Sequence, residues 1–159
     1  MKNGNSTSSA MGEVRVQVKL RNLIDEALAD AGQLDPARVR MVTADAMIDT
    51  GAVRSVLPAH VVERLGLKPR RQQVVEYADG RKESVGMANG IIFNIMNREA
   101  EDDAYVLGDE VLIGQTVLEK MDLRVDCRQH CLVPKQYRQC RLDRPAEEAV
   151  SLVSVHGRS

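Results

Sequence analysis

Val14-Arg15-Val16-Gln17-Val18-Lys19-Leu20 alternates apolar and polar positions without a break, which predicts a strand with one face buried. Leu20, Leu23, Ile24, Ala27 and Leu28 then recur at helical spacing, and Gly32 offers a stop. That segment is either a short helix or an insertion packed over the sheet. Residues 39–48 predict a strand, or a pair of short strands, that runs into Asp49. Pro58 can open a helix with Val61, Val62 and Leu65 on one face and Gly66 just past its end. Val74-Val75-Glu76-Tyr77 and Glu83-Ser84-Val85-Gly86-Met87 flank Ala78-Asp79-Gly80-Arg81, and Asp-Gly between strand-like runs signals a hairpin.

Residues 90–96 and 104–107 read as further strands, separated by an acidic loop over 97–103 that carries Glu99, Glu101, Asp102 and Asp103. Carboxylates in a row are usually a solvated turn, and no cation is assigned to them. Val111-Leu112-Ile113-Gly114 comes next. Thr116-Val117-Leu118-Glu119 has the spacing of a capping box and opens a helix with Val117, Leu118 and Met121 inward. Leu123–Asp126 and Cys131–Pro134 read as closing strands.

With 159 residues the chain suits one domain. Residues 1–11, rich in Asn, Ser, Thr and Gly, are expected to be a disordered tail, and residues 12–136 the folded domain. Residues 137–159 form a polar tail ending in Val150-Ser151-Leu152-Val153-Ser154-Val155, either disordered or adding an edge strand at a subunit contact. A net charge of -1, 3% aromatic residues and no Trp argue against a nucleic-acid partner. Cys127, Cys131 and Cys140 lack metal-ligand spacing, even with His130 beside them, and read as reduced thiols. The sequence has no run of membrane-spanning length and no signal-peptide core, so no membrane partner and a cytoplasmic location are expected.

The chemistry concentrates in Ala46-Met47-Ile48-Asp49-Thr50-Gly51-Ala52. A carboxylate at the end of an apolar strand is costly unless it is used or satisfied. Gly51 permits a tight turn whose amide, with the Thr50 hydroxyl, can hold Asp49 in one orientation. Two such carboxylates facing each other share a proton and together activate a water. Arg54 and Ser55 lie within reach of the turn, with substrate-positioning, salt-bridge and capping roles all open. His60 reads as a surface histidine of its helix.

The run Ile48-Asp49-Thr50-Gly51-Ala52 resembles the active-site turn of retropepsin-like (retroviral-type, clan AA) aspartic peptidases, which are single-lobed. Val111-Leu112-Ile113-Gly114 resembles the hydrophobic-hydrophobic-Gly signature that packs beside that turn, placing Ile113 and Gly114 next to the active site. The resemblance covers about residues 13–134 and implies an all-β fold. This is an acid-protease-like antiparallel barrel lobe with one or two short helices, one lobe per chain. It makes Asp49 the catalytic residue, Thr50, Gly51 and Ala52 the active-site turn, and Tyr77, Ala78, Asp79, Gly80 and Arg81 the tip of a substrate-covering flap. It implies no cofactor and no metal.

No second Asp-Thr-Gly or Asp-Ser-Gly occurs in the chain, so two-carboxylate catalysis requires a homodimer that sets Asp49 opposite its copy. The expected function is an aspartic endopeptidase acting on protein or peptide substrates. A hydroxyl at position 52 would donate to the carboxylate, whereas the methyl of Ala52 cannot, so activity is expected in mildly acidic to near-neutral conditions. A dimeric scaffold of the same fold that binds extended peptides without cutting them is the alternative. A metal hydrolase built on His60, His130 and the acidic run is the poorest reading, because those residues have no ligand spacing.

Overall fold

The computed structural model describes residues 13–135. The elements in chain order are β1 (Arg15–Asn22), α1 (Leu23–Asp30), a 3-10 turn (Pro36–Arg38), β2 (Met41–Ile48), β3 (Ser55–Leu57) and α2 (Ala59–Arg64). There follow β4 (Arg71–Glu76), β5 (Lys82–Ile95), β6 (Arg98–Val106), β7 (Val111–Ile113), α3 (Gln115–Lys120), β8 (Leu123–Asp126) and β9 (Cys131–Pro134). The expected tails lie outside the described residues. The fold is the anticipated all-β barrel lobe, although three short α-helices accompany it where one or two were expected.

Six strands close into a ring in the order β1-β2-β7-β3-β6-β5, with β5 returning to β1 and β4 attached outside β5. Most neighbours in the ring are antiparallel, but β2–β7 and β3–β6 are parallel. Closure depends on the length of β5. Its 14 residues form one strand where the sequence suggested two. The register against β6 shifts between Ala88 and Ile91, and Gly90 sits there with φ +75. That bulge bends the strand so that residues 91–94 reach β1 while residues 82–87 pair with β4. Leu20 faces Val42 on one side and Phe93 on the other, which joins the ring at its core. Leu20, Phe93, Ile91, Ile95, Leu57 and Ile113 are fully buried there, and burial of large apolar side chains is the main force holding such a barrel.

The acidic loop expected over 97–103 is strand instead. Met96 and Asn97 have φ 53 and 62 and form a two-residue turn between the paired Ile95 and Arg98. Along β6, Ala100 and Ala104 point into the core, and Glu99 and Glu101 point out. Two alanines among carboxylates hid the alternation that a strand requires.

α1 also departs from its pattern. Ile24 is 61% exposed and Leu28 37%, while Asp25 is buried. The Asn22 side chain caps the helix by accepting from the Asp25 amide. Arg40 binds both Asp25 carboxylate oxygens at 2.7 and 2.9 Å, which compensates burial of the charge and outweighs the pull of the apolar face inward. α2 follows expectation: Val61, Val62 and Leu65 are buried and Gly66 ends it with φ +69.

Candidate active site

β2 delivers Asp49 through its parallel pairing with β7, where Ile48 lies opposite Ile113. The Asp49 amide donates to the Ile113 carbonyl at 2.9 Å, carrying the ladder one residue beyond the strand. The chain then turns. The Ala52 amide donates to the Asp49 carbonyl at 3.1 Å, and the Gly51 amide donates to Asp49 Oδ1, also at 3.1 Å. One carboxylate oxygen is thus oriented by a backbone donor. The expected help from the Thr50 hydroxyl is not seen among the described residues, where Thr50 is exposed. Asp49 is half-buried, Gly51 is exposed, and Val53 beside them is 70% exposed.

Behind the turn the backbone is tightly interlocked. A Cβ on Gly114 would stand 2.5 Å from the Arg54 carbonyl carbon and 2.6 Å from its oxygen, so only glycine allows β7 to press against that segment. The Gly114 amide donates to Ser55 Oγ at 2.9 Å, and Ser55 is fully buried. Ser55 thus braces the chain after the turn against Gly114, a role outside the substrate-positioning, salt-bridge and capping ones left open for it. At the start of α3, Gln115 N–H donates to the Ala52 carbonyl at 2.8 Å and Thr116 N–H to the Val53 carbonyl at 3.0 Å. The first amides of a helix have no partner within it, and here the carbonyls of the turn serve them.

That arrangement replaces the capping box. Gly114 is the N-cap without a side-chain bond, and the Thr116 hydroxyl donates to Asp102 Oδ2 on β6. Asp102 also meets Lys120 Nζ at 3.4 Å and Arg54 Nη1 at 3.6 Å, with its side chain only 7% exposed. Asp102 therefore braces α3 and the residue after the turn against β6. Sequence reading missed it because it sat in a presumed loop. The hydroxyl of Thr116 was a visible signal, assigned to the wrong acceptor.

The 77–81 segment is a tight hairpin tip. Gly80 N–H donates to the Tyr77 carbonyl at 2.9 Å, Tyr77 N–H to the Arg81 carbonyl at 2.8 Å, and Gly80 has φ +84. Arg81 N–H donates to Asp79 Oδ1 at 3.0 Å, the Arg81 guanidinium lies 4.4 Å from the centre of the Tyr77 ring, and Ala78 is exposed. The Tyr77 hydroxyl donates to Glu83 Oε1 at 2.6 Å, which holds the phenol above its ordinary titration range. Pairing of β5 with β6 begins only at Gly86, so residues 74–84 extend past it as a two-stranded ribbon, its base held by buried Val85 and by Gln73, which accepts from the Tyr105 hydroxyl. His60 is exposed on α2, and among the described residues no group of three or more His, Cys, Asp or Glu side chains is placed to hold a metal.

No curated protein matches the chain. Residues 35–120 match the gag-polyprotein putative aspartyl protease family, a segment that holds the Asp49 turn, the hairpin, Gly114 and α3. With more than half of its length matched, and with a barrel that holds Asp49 in a glycine turn, the chain belongs to that family of retropepsin-like aspartyl proteases.

Proposed function

We propose that the chain is an aspartic endopeptidase that works as a homodimer, with Asp49 of each copy on either side of a two-fold axis. The observation that carries this reading is the Asp49 turn itself. Its carboxylate has one oxygen oriented by the Gly51 amide, sits half-buried at the surface, and is ringed by exposed Thr50, Gly51 and Val53. An exposed valine beside a half-buried acid is what an interface between copies would cover.

Sharing of one proton between two facing carboxylates is the established chemistry of aspartic peptidases. Water held between the two Asp49 side chains attacks the scissile carbonyl carbon, and the ionised Asp takes its proton. The protonated Asp gives its own proton to the carbonyl oxygen, so the intermediate forms without net charge. Collapse of that intermediate breaks the C–N bond, and the amine leaves with a proton from the dyad. Thr50 would tie the two turns together, Gly51 would offer its carbonyl to the peptide backbone, and Ala52 leaves the acid pair without a hydroxyl donor. Tyr77, Ala78, Asp79, Gly80 and Arg81 would cover the substrate as the ribbon closes. Residues 12–136 would be the peptidase unit, acting in the cytoplasm. Among the described residues no helix is long and apolar enough to cross a membrane.

The test is cleavage of casein by the wild type, by Asp49→Asn, and by the wild type with pepstatin, each checked by sedimentation. Turnover lost in a still-dimeric Asp49→Asn and reduced by pepstatin is the expected result. A verified wild-type dimer with no turnover on any unfolded substrate supports the non-catalytic peptide-binding scaffold instead.

A further inference from the structure

A second surface lies away from the candidate catalytic turn, between α1 and the segment that joins α2 to β4. A cavity of about 560 Å³ opens there, walled on its apolar side by Leu23, Ile24 and Leu67. Arg40, Lys68, Arg70 and Arg71 line the rest together with Asn89 and the backbone of Gly66. Arg40 is fixed. Asp25 holds its Nε and Nη2, and the guanidinium lies so close over Gly66 that a Cβ there would fall 1.9 Å from Nη1. Nη1, the nitrogen nearest Gly66, has no hydrogen bond among the described residues.

Lys68, Arg70 and Arg71 are exposed and have no side-chain partner among the described residues. Three unpaired cations within four residues, beside an isoleucine that is 61% exposed, are not accounted for by stability. We infer that this cavity is a docking site for an acidic segment of the protein substrate, one in which carboxylates flank a branched apolar side chain. The inference rests on the peptidase reading for the word substrate. The binding itself rests only on charge complementarity and the apolar wall.

Arg40 offers a preorganised donor, and Lys68, Arg70 and Arg71 supply the field that attracts carboxylates. The apolar side chain of the segment fits against Leu23, Ile24 and Leu67. A nucleic acid suits the site less well, because no aromatic side chain lines it for base stacking. Arg71 also begins β4, so a segment seated here is tethered at the base of the hairpin ribbon. Tethering raises the effective concentration of the rest of the substrate near the ribbon without adding a contact at the turn.

The test reads binding rather than turnover, so that it stands whether or not cleavage is found. Full-length Asp49→Asn protein is titrated against a fluorescein-labelled peptide, Glu-Glu-Ile-Glu-Glu-Leu-Glu, followed by fluorescence anisotropy. A peptide with Lys in place of Glu and a single-stranded oligothymidylate are the controls. Saturable binding of the acidic peptide alone is expected, weakened at least about tenfold by Arg70→Ala with Arg71→Ala and also by Ile24→Ser. Both changes are at exposed positions, and thermal melting confirms that the variants remain folded. Equal affinity in the variants overturns the proposal, as does tighter binding of the oligothymidylate. Binding that emerges only when Glu147 and Glu148 of the C-terminal tail are replaced assigns the cavity to that tail, and also overturns it.

Discussion

Gly114→Ala isolates the contact on which the candidate turn depends. Gly114 has φ -90 and ψ 176, a backbone that alanine adopts freely, so any cost is steric. The added methyl would meet the Arg54 carbonyl carbon at 2.5 Å, its oxygen at 2.6 Å and the Ser55 nitrogen at 2.8 Å. All three are backbone atoms, and a rotamer change cannot relieve them. β7 and the 54–55 segment must separate, which by the usual cost of overpacking is about 1–3 kcal/mol. Separation also stretches the buried bond from the Gly114 amide to Ser55 Oγ, and leaving that pair unsatisfied costs a further ~1–3 kcal/mol. The expected loss of about 2–6 kcal/mol is large against the ~5–15 kcal/mol of a typical domain. It corresponds to a melting temperature lower by on the order of 10 °C. Differential scanning fluorimetry and urea unfolding at one fixed protein concentration measure it. Gly108→Ala is the control, since Gly108 has φ +70 with nothing near its missing Cβ, and only the left-handed conformational penalty of about 1–2 kcal/mol applies. A Gly114→Ala protein melting no lower than Gly108→Ala would refute the steric argument.

Three further outcomes follow from the same geometry. Arg40→Ala leaves the buried Asp25 carboxylate without its bidentate partner and should cost about 2–3 kcal/mol at neutral pH. The Arg40 guanidinium holds the Asp25 carboxyl below the ordinary carboxylate range, so this stability is complete above the unfolded-state value and lost as pH falls through the lower folded one. The gap in urea midpoint between wild type and Arg40→Ala must therefore narrow in acid, and an undiminished gap at the lowest pH where both remain folded contradicts the assignment. Asp102→Ala releases Thr116, Lys120 and Arg54 together, with an expected loss of about 1–2 kcal/mol and faster hydrogen exchange at the Gln115 and Thr116 amides. Exchange unchanged at those two amides would separate Asp102 from the turn. For the proposed peptidase, the pH–rate maximum should lie in mildly acidic to near-neutral conditions, and a maximum below about pH 3 would refute the role given to Ala52.

The strands were legible wherever one face is apolar without interruption, as in Val14 to Leu20, and wherever a turn carries its own chemistry, as at Asp79-Gly80. Illegible segments are those where a tertiary partner overrides the local pattern. α1 buries Asp25 and exposes Ile24 because Arg40, distant in sequence, supplies a bidentate ion pair that the helical spacing of apolar residues cannot announce. β6 hides behind four carboxylates because its core positions are alanines, which are small enough to escape a hydrophobicity count. The turn before it depends on positive φ at Met96, a residue that gives no warning of it.

The candidate site divides along the same line. Asp49 and Gly51 were legible because each answers a local demand, an acid at a strand end and a tight turn. Gly114 was legible only through its resemblance to the family signature, because the backbone that excludes its side chain is that of distant Arg54. The brace through Asp102 was not, because it joins the strand before the β6–β7 connection to the helix after it. Yet that brace bears on the proposed chemistry. The Gln115 and Thr116 amides hold the carbonyls of Ala52 and Val53, so any tilt of α3 is transmitted to the chain three and four residues after Asp49. A dyad formed by two copies needs each carboxylate placed to well under an ångström before the copies meet. One half-site must therefore be rigid on its own, and the hydrogen bonds from Gly51, Gln115 and Thr116, with Gly114 packed against Arg54, supply that rigidity inside a single chain.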